Sequence, residues 1–394
     1  MTSLPRIAIQ DLVVDERTKR TSSSDTEVWS LNLDQIESDS GRILSRVMTP
    51  PKALGPSTYP FEAGTVLYSK LRPYLNKVVV ADTDGYATTE LVPLKCDASR
   101  VLPSYLAYFL RSSEFLNFAN TVVAGAKMPR MVMGEFWQYK VPLPSLPEQR
   151  RIAAILDKAD ALRTKRREAL AQLDRLAQSI FVEMFGDPVA NTKGWARHPF
   201  GDLLSGIDSG WSPVCLERPA EASEWGVLKL GAVTSCVFDH GANKALPPGV
   251  EPVTDIEVKP GDLLFSRKNT YDLVAACALV ESTRPRLMMS DLIFRLQVRD
   301  EAKVNKRFLH ALLTNPRKRA EVQKLAGGSS GSMPNISKAK LLGMQVEIPP
   351  IALQGEFAAR IERTKRLKGI SQSAVVDADL MFSSLQYRAF RGEL

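Results

Sequence analysis

The sequence contains few of the residues that metal and redox centres need. Its 394 residues include only three histidines, and these lie far apart without metal-ligand spacing. None of the four cysteines forms a Cys-x-x-Cys pair, which disfavours a zinc ribbon or a thioredoxin-type site. The sequence therefore predicts no metal centre, and four reduced, mostly buried thiols. These are Cys96, Cys215, Cys236 and Cys277.

Catalytic motifs are also missing. No Gly-Lys pair exists, which excludes a P-loop. Thr49-Pro-Pro51 and Ile348-Pro-Pro350 lack the amide or carboxylate with which an amino-methyltransferase would bind the adenine amino group. Asp239 precedes Glu257-Val-Lys259 in a nuclease-like order, but that spacing is common by chance.

Long apolar runs are absent too. The longest, Leu273 to Val280, is too short to span a bilayer and predicts a buried strand. The N-terminus lacks the apolar core of a signal peptide, so we expect a soluble, cytoplasmic chain without a membrane partner. The length favours two or three domains, and the net charge of +8 suits a surface that faces a polyanion.

The two halves of the sequence repeat one another in order. The offset between matching residues only rises along the chain, from about 197 to about 205, as small insertions in the second copy would produce. The matching segments are Gly64 with Gly261, Ser69 with Ser266, Thr89-Glu90-Leu91 with Ser290-Asp291-Leu292, Leu106 and Leu110 with Leu309 and Leu313, Met128-Pro129 with Met333-Pro334, and Gln149 with Gln354.

Each half predicts the same α+β layout. A region of strands and loops comes first, then a short helix, near Leu102 to Ala119 and again near Val304 to Leu325. A glycine-containing loop, a strand ending in proline and a long helix follow. The predicted segments are a globular domain over 1–145, a long helix over 146–187, a second globular domain over 188–350 and a second long helix over 351–394.

The first long helix is predicted from Glu148 to Phe185, where neither glycine nor proline occurs. Two interleaved seven-residue series are typical of a coiled-coil seam, although an arginine interrupts each. One series is Ile152, Ala159, Arg166, Leu173 and Ile180, and the other is Leu156, Arg163, Leu170, Ala177 and Met184.

The second long helix is predicted from Ala358 to about Arg391, with Gly369 inside it. Its apolar positions are Ile361, Leu367, Ala374, Met381, Phe382 and Leu385. Each helix could pack only on its own domain. Because each is longer than one domain needs, we expect instead that the two pair as an antiparallel coiled coil, which would relate the domains by a pseudo-twofold axis.

Several segments resemble a known family, the DNA-specificity (S) subunits of type I restriction–modification systems. The central conserved region of that family resembles Pro144-Ser-Leu-Pro-Glu-Gln-Arg-Arg-Ile-Ala-Ala-Ile-Leu156 and Met184-Phe-Gly-Asp-Pro188. Its recognition domains contain segments similar to Tyr68–Asn76, Leu264–Thr270 and Gly328–Asn335. The second helix departs from the pattern, because Ala352-Leu353-Gln354 replaces Pro147-Glu148-Gln149.

The resemblance implies a division of labour. Each globular domain would be a target-recognition domain that reads one half of a split sequence in double-stranded DNA. The helices would separate the halves and bind two modification methyltransferase subunits, and restriction subunits would supply ATP-driven translocation and cleavage. The chain itself would have no catalysis and no cofactor, since S-adenosylmethionine, ATP and Mg would be held by the partner subunits.

The first candidate DNA contacts follow a short strand in each half. Lys70 and Arg72 come after the strand Thr65–Tyr68, in a turn with Pro73. Such cations can hold a phosphate, and arginine can also reach guanine. In the second half Arg267, Lys268 and Asn269 occupy this place, and asparagine is the side chain that reads adenine. The alternative is a solvated charged turn.

The second candidates lie in glycine-containing loops, Gly125–Arg130 and Gly327–Asn335, which match beside Met-Pro in the two halves. Glycines let backbone N–H groups approach phosphates, and hydroxyls can donate to them. The candidate residues are Lys127, Arg130, Ser329, Ser330, Ser332, Asn335 and Lys338, with Lys340 adding charge. A flexible surface loop is the alternative.

Thr89-Glu90 and Ser290-Asp291 also recur, but a buried strand edge explains them equally well. His310 is expected to be a packed helix residue.

Two other functions stay open at this point. The chain could be the recognition subunit of a fused, type IIB-like restriction enzyme. It could also be a coiled-coil scaffold whose positive charge is incidental. The salt dependence of DNA binding separates a scaffold from a reader, because phosphate contacts lose affinity steeply as salt rises.

Overall fold

Two long helices and many short elements make up the chain in the computed structural model, which describes residues 4–14, 26–55, 57–327 and 333–394. The helices are α1 Pro103–Leu110, α2 Ser113–Thr121, α3 Met133–Gln138, α4 Leu146–Phe185, α5 Phe200–Leu203, α6 Gly231–Thr234, α7 Lys306–Thr314, α8 Pro316–Gln323, α9 Lys338–Gly343 and α10 Ile351–Arg391. The first strands are β1 Arg6–Ala8, β2 Val28–Leu31, β3 Val47–Thr49, β4 Thr58–Phe61, β5 Val66–Ser69, β6 Val78–Val80, β7 Gly85–Thr88, β8 Leu91–Leu94, β9 Val123–Ala124, β10 Arg130–Met131 and β11 Lys140–Pro142. The later strands are β12 Ala196–Pro199, β13 Leu204–Ser209, β14 Gly226–Leu228, β15 Asn243–Ala245, β16 Leu263–Ser266, β17 Cys277–Leu279, β18 Leu287–Met288, β19 Ile293–Val298 and β20 Gln345–Ile348.

Two compact units divide the chain. Unit 1 contains Met1–Leu170 and Ser371–Leu394, and unit 2 contains Ala171–Ile370. The predicted segments kept the long helices apart from the globular domains. The units instead cut through α4 and α10, because each core takes side chains from both helices.

Unit 1 is built on a four-stranded sheet of order β3-β2-β7-β4 and a three-stranded sheet of order β6-β5-β8. Its main core is rich in aromatic side chains and includes the end of α10. The Phe390 ring lies 5.0 Å from Phe109 and 5.4 Å from Tyr105, both in edge-to-face geometry. The last turns of the chain therefore complete a core whose strands come from its first part.

Unit 2 contains a four-stranded sheet of order β13-β19-β16-β17 and a three-stranded sheet of order β15-β14-β18. Its main core combines sheet and α7 side chains with residues of both long helices. The Phe185 ring of α4 lies 4.8 Å from Phe308 and 5.1 Å from Phe357 of α10. These rings bind both long helices to α7.

The buried face of α4 follows the predicted seven-residue series only in part, because Leu170, Leu173, Ala177 and Met184 are half-buried. Ile152, Leu156, Ala159 and Ile180 are buried. Arg163, which was predicted to interrupt the seam, is buried as well. Its guanidinium lies 3.9 Å from the centre of the Phe382 ring and forms ion pairs with aspartates on both helices. The ring and the carboxylates compensate for removing this charge from water.

The prediction for α10 was partly wrong. The helix begins at Ile351, where the predicted segment 351–394 starts and seven residues before the Ala358 predicted from its apolar pattern. Leu367 and Met381 are 53% and 43% exposed, so they are not seam positions. The buried positions are Gln354, Phe357, Thr364, Ala378, Phe382, Gln386, Ala389 and Phe390. The true series contains polar residues, which hydrophobicity alone does not identify.

Each short helix predicted after the strand region is in fact a pair of helices. α1 and α2 replace the first, and α7 and α8 replace the second. The breaks fall at Ser112 and Asn315, whose side chains accept hydrogen bonds from backbone N–H groups of the following helix. Such N-cap residues start a new helix.

The apolar run Leu273 to Val280 forms a strand only at Cys277–Leu279. Leu273 is 40% exposed, and Ala275 has a φ of 63°, which breaks the extended conformation. No helix within the described part of the chain has both the length and the apolar content that a membrane span requires.

The thiols and His310 are structural residues. All four cysteines are free, Cys277 is buried, and Cys96, Cys215 and Cys236 are half-buried. His310 lies in α7, as expected, with Nε2 3.0 Å and 3.1 Å from the carbonyl oxygens of Cys236 and Cys277. Burial lowers the pKa of its imidazole.

Candidate nucleic-acid interface

In unit 1 the two predicted contact segments meet at the end of β5. The Lys70 N–H donates to the Glu90 carbonyl at 3.0 Å, and the Lys70 carbonyl accepts from the Met131 N–H at 2.8 Å. The Arg72 N–H donates to the Pro129 carbonyl at 2.7 Å. Segments about 60 residues apart in sequence are thus fixed side by side.

Unit 2 contains the same arrangement at the end of β16. The Arg267 N–H donates to the Leu292 carbonyl at 3.1 Å, and the Arg267 carbonyl accepts from the Ile336 N–H at 2.8 Å. The Asn269 N–H lies 3.4 Å from the Pro334 carbonyl, which makes this third bond a weak one. We call this arrangement, in either unit, the strand-end site.

The strand-end site also repeats as a β-bridge. Leu71 pairs with Arg130 in unit 1, and Lys268 pairs with Asn335 in unit 2, both antiparallel. These residues have the offsets of 197 and 205 that the repeat predicts. The turn after the strand and the Met-Pro loop, which were predicted as separate motifs, therefore form one site in each unit.

The cations of unit 1 are placed differently from one another. Arg72 and Lys127 are exposed, whereas Lys70 is half-buried. Arg72 has a φ of 51°, a conformation that costs free energy in a non-glycine residue and is found mostly where the surrounding structure imposes it. Arg130 makes a two-pronged ion pair with Glu90, with Nη2 at 2.8 Å. This arginine lowers the pKa of the Glu90 carboxyl through its hydrogen bonds and charge.

Two candidate cations of unit 2 lie near one aromatic ring. The guanidinium of Arg267 lies 5.3 Å from the Phe294 ring centre, and the ammonium of Lys338 lies 5.5 Å from it. Arg267 Nε donates to the Asp291 carbonyl at 2.8 Å, and Lys338 Nζ donates to the Ile207 carbonyl at 2.6 Å. Both cations keep further donors, because each of these bonds uses only one N–H.

The amide side chains of unit 2 lie beneath the surface. Asn269 is 6% exposed, and its Nδ2 has no hydrogen-bond partner among the described residues. Asn335 Oδ1 is buried and similarly unpartnered within the described chain. Asn269 can read a base edge only if its side chain turns outward, so its assignment to adenine stays a prediction. Ser329, Ser330 and Ser332 lie outside the described residues.

Two acidic residues that sequence reasoning set aside belong to the strand-end sites. Glu90 holds Arg130, and Asp291 holds Arg267 through its carbonyl and accepts a hydrogen bond from Ser212 through its carboxylate. Their recurrence in both halves was the available signal. It did not single them out, because a buried strand edge would have produced the same recurrence.

The nuclease-like triad consists of loop residues with separate roles. The Asp239 carboxylate accepts a hydrogen bond from the Gly241 N–H at 2.8 Å. The Glu257 carboxylate accepts from the Arg286 N–H at 2.7 Å. Among the residues with described positions, no three histidine, cysteine or acidic side chains are grouped in a way that could hold a metal ion.

The sequence matches known proteins of one family. The family model for the type I restriction modification DNA specificity domain matches residues 56–173. The specificity subunit of the type I restriction enzyme EcoEI from Escherichia coli is 32% identical over 170 residues, which cover 43% of this chain and 28% of that protein. The EcoDI specificity subunit, also from Escherichia coli, is 29% identical over 205 residues, 50% of this chain and 45% of that protein. The chain thus spans less than half the length of these two curated relatives.

Solved structures share the fold. A chain from a structure described as "Structural basis underlying complex assembly and conformational transition of the type I R-M system" has a TM-score of 0.63 and 18% identity. The match covers 100% of this chain and 98% of that one. The type I restriction–modification S subunit from M. genitalium has a TM-score of 0.56 and 12% identity, with 98% and 96% of the two chains covered.

Proposed function

We propose that this chain is a DNA-specificity subunit of the type I restriction–modification family and that it recognises a bipartite DNA sequence, one half with each unit. The observation that carries the proposal is the recurrence of the strand-end site, with two of its three backbone bonds and its β-bridge at matching repeat positions in both units. A reader of two half-sites needs two such sites, each with different side chains on the same frame.

The side chains at the two sites fit this role. Unit 1 offers the exposed Arg72 and Lys127, and unit 2 offers Lys338, Lys268 and Arg267. Cations on a fixed backbone hold phosphates and set the register of a protein on the duplex, while the differing neighbours choose the bases. Because the two sites differ in side chains, we expect the two half-sites to differ in sequence.

We also propose that the long helices pair as an antiparallel coiled coil with pseudo-twofold symmetry. Contacts within unit 1 support opposite directions, because Arg151 donates to the Leu394 carbonyl at 2.6 Å while Arg167 donates to Asp379 at 2.7 Å. Positions farther along α4 thus contact positions nearer the start of α10.

In this proposal the chain carries no catalytic site. Two modification methyltransferase subunits would bind the helices and supply S-adenosylmethionine for adenine methylation. Restriction subunits would supply ATP- and Mg-dependent translocation and cleavage. The chain would act in the cytoplasm, where its DNA target lies.

The test is single-molecule sequencing of DNA from cells that express this chain with its neighbouring methyltransferase. Cells that express the methyltransferase alone are the control. We expect a split methylated motif that depends on this chain and gives both half-sites. An unchanged methylation pattern, with DNA binding that loses no affinity as salt rises, would refute recognition of DNA by this chain.

A further inference from the structure

Each strand-end site carries an exposed tyrosine and an exposed methionine that do not belong to the folded core. Tyr74 and Tyr271 are 52% and 55% exposed, and Met128 and Met333 are 45% and 41% exposed. Single exposed apolar side chains are ordinary on protein surfaces. Here both residue types recur at the repeat offsets of 197 and 205, and they remain exposed in both units. Such a double recurrence indicates a shared contact.

The backbone bonds of the strand-end site join the segment that carries each tyrosine to the segment that carries its methionine. In unit 1 the Arg72 N–H bonds the Pro129 carbonyl, so Tyr74 lies two residues after the donor and Met128 lies directly before the acceptor. Unit 2 repeats this relation through Asn269 and Pro334. Each unit therefore carries an aromatic ring and a thioether beside its candidate cations.

The tyrosines are held by their backbone and leave their rings available. Tyr74 lies in a 3₁₀ turn over Pro73–Leu75, between Arg72 and Asn76, which are both in the left-handed region. In unit 2, Gln323 Nε2 donates to the Tyr271 carbonyl at 3.0 Å. Neither phenolic hydroxyl makes a hydrogen bond within the described part of the chain. A rigid backbone with an uncommitted ring suits binding, because little conformational freedom is lost.

We infer that Tyr74 with Met128, and Tyr271 with Met333, form two apolar contacts to duplex DNA, each beside the phosphate contacts of one strand-end site. The inference rests on the proposed function. Deoxyribose and the thymine methyl group present apolar surface in the grooves, and an aromatic ring or a thioether packs well against it. Each pair then helps to select the bases of one half-site, which phosphate contacts alone do not do.

The test compares the full-length wild-type chain with Tyr74→Ala, Tyr74→Phe, Tyr271→Ala and Tyr271→Phe. Each is assembled with the methyltransferase and bound to a duplex that contains the motif found by sequencing. We expect each alanine variant to lose about tenfold in affinity, about 1.4 kcal/mol. The phenylalanine variants should stay within about twofold of wild type, because the ring makes the contact.

Salt dependence separates an apolar contact from a charge contact. The tyrosine variants should keep the wild-type slope of log affinity against log salt. Lys127→Ala and Lys268→Ala should each lower that slope by about 1, because each removes one phosphate contact. The two units serve as controls for each other, since Tyr74→Ala should relax one half of the methylated motif and Tyr271→Ala only the other half.

The outcomes distinguish a failure of this inference from a failure of the proposed function. If the wild-type chain yields no split motif, the proposed function fails and the inference fails with it. If the wild-type chain yields a motif but the alanine variants bind like wild type, only the inference is wrong. Equal losses for phenylalanine and alanine would assign the contact to the hydroxyl and overturn the apolar contact. Unchanged melting temperatures would show that the variants fold.

Discussion

Phe390→Ala tests whether the end of α10 belongs to the core of unit 1. The Phe390 side chain is 3% exposed and packs against the rings of Tyr105 and Phe109. Truncating a buried phenylalanine costs about 3–5 kcal/mol in lost burial and cavity formation. Since a domain is stable by about 5–15 kcal/mol, this change should remove a large part of the stability of unit 1.

Hydrogen exchange measured by mass spectrometry reports each unit separately. A loss of 3–5 kcal/mol corresponds to a rise in the opening equilibrium of about 150- to 5,000-fold. We expect this rise in amides of α1, which carries Tyr105 and Phe109. Amides of α7, which lies in unit 2, should exchange as in the wild-type chain.

Two matched variants control for this result. Tyr387→Ala changes an aromatic residue of the same helix that is 52% exposed, so it should alter stability by no more than about 0.5 kcal/mol. Phe357→Ala removes the α10 ring that packs in unit 2 and should accelerate exchange in α7. Unchanged exchange in α1 of Phe390→Ala, or an equal rise in α1 and α7, would refute the assignment of the helix end to unit 1.

Three smaller changes test other parts of the chain. The Arg130 ion pair lowers the pKa of the Glu90 carboxyl, so the stabilisation from this pair is complete above the unfolded pKa of about 4.3 and disappears as pH falls through the lower folded pKa. The difference in melting temperature between wild type and Glu90→Gln should therefore close below the folded pKa. A constant difference would contradict the pair. The Gln354 side chain is fully buried, accepts a hydrogen bond from one backbone N–H and donates to two backbone carbonyls. Gln354→Leu should therefore lower the free energy of unfolding by about 1–3 kcal/mol in chemical denaturation. An unaltered denaturation midpoint would contradict this. Leu173→Glu puts a charge in the proposed helix seam and should abolish assembly with the methyltransferase in size-exclusion chromatography, whereas Gln172→Glu at an exposed position should not. Equal elution of both variants with wild type would count against the proposed seam.

The helices show how far sequence patterns reach. The seven-residue spacing located α4 almost to the residue, because no glycine or proline interrupts a long apolar series. In α10 the same approach wrongly predicted that Leu367 and Met381 are buried positions. The buried positions of α10 include Gln354, Thr364 and Gln386. Hydrogen bonds to neighbouring segments hold such polar side chains, as between Gln386 and the Tyr108 carbonyl, and hydrophobicity does not record them.

The candidate sites show the other limit. The repeat identified the strand-end turn and the Met-Pro loop as separate motifs, and it gave no sign that they touch. Arg130 was expected to face DNA, but Glu90, 40 residues earlier, holds its guanidinium. Asn269 was expected to be accessible, but it is 6% exposed. Partners of this kind depend on how distant segments pack, and a single sequence does not contain that information.

The sequence by itself determined the twofold repeat, the order of its elements and the two long helices. These features depend on local signals, namely the spacing of apolar residues and the glycines and prolines that end helices and strands. Only the tertiary structure decided that the end of α10 completes the core of unit 1 and that residues 60 positions apart form one strand-end site. Those outcomes follow from burial and backbone hydrogen bonding between distant segments, which are settled when the whole unit closes around its core.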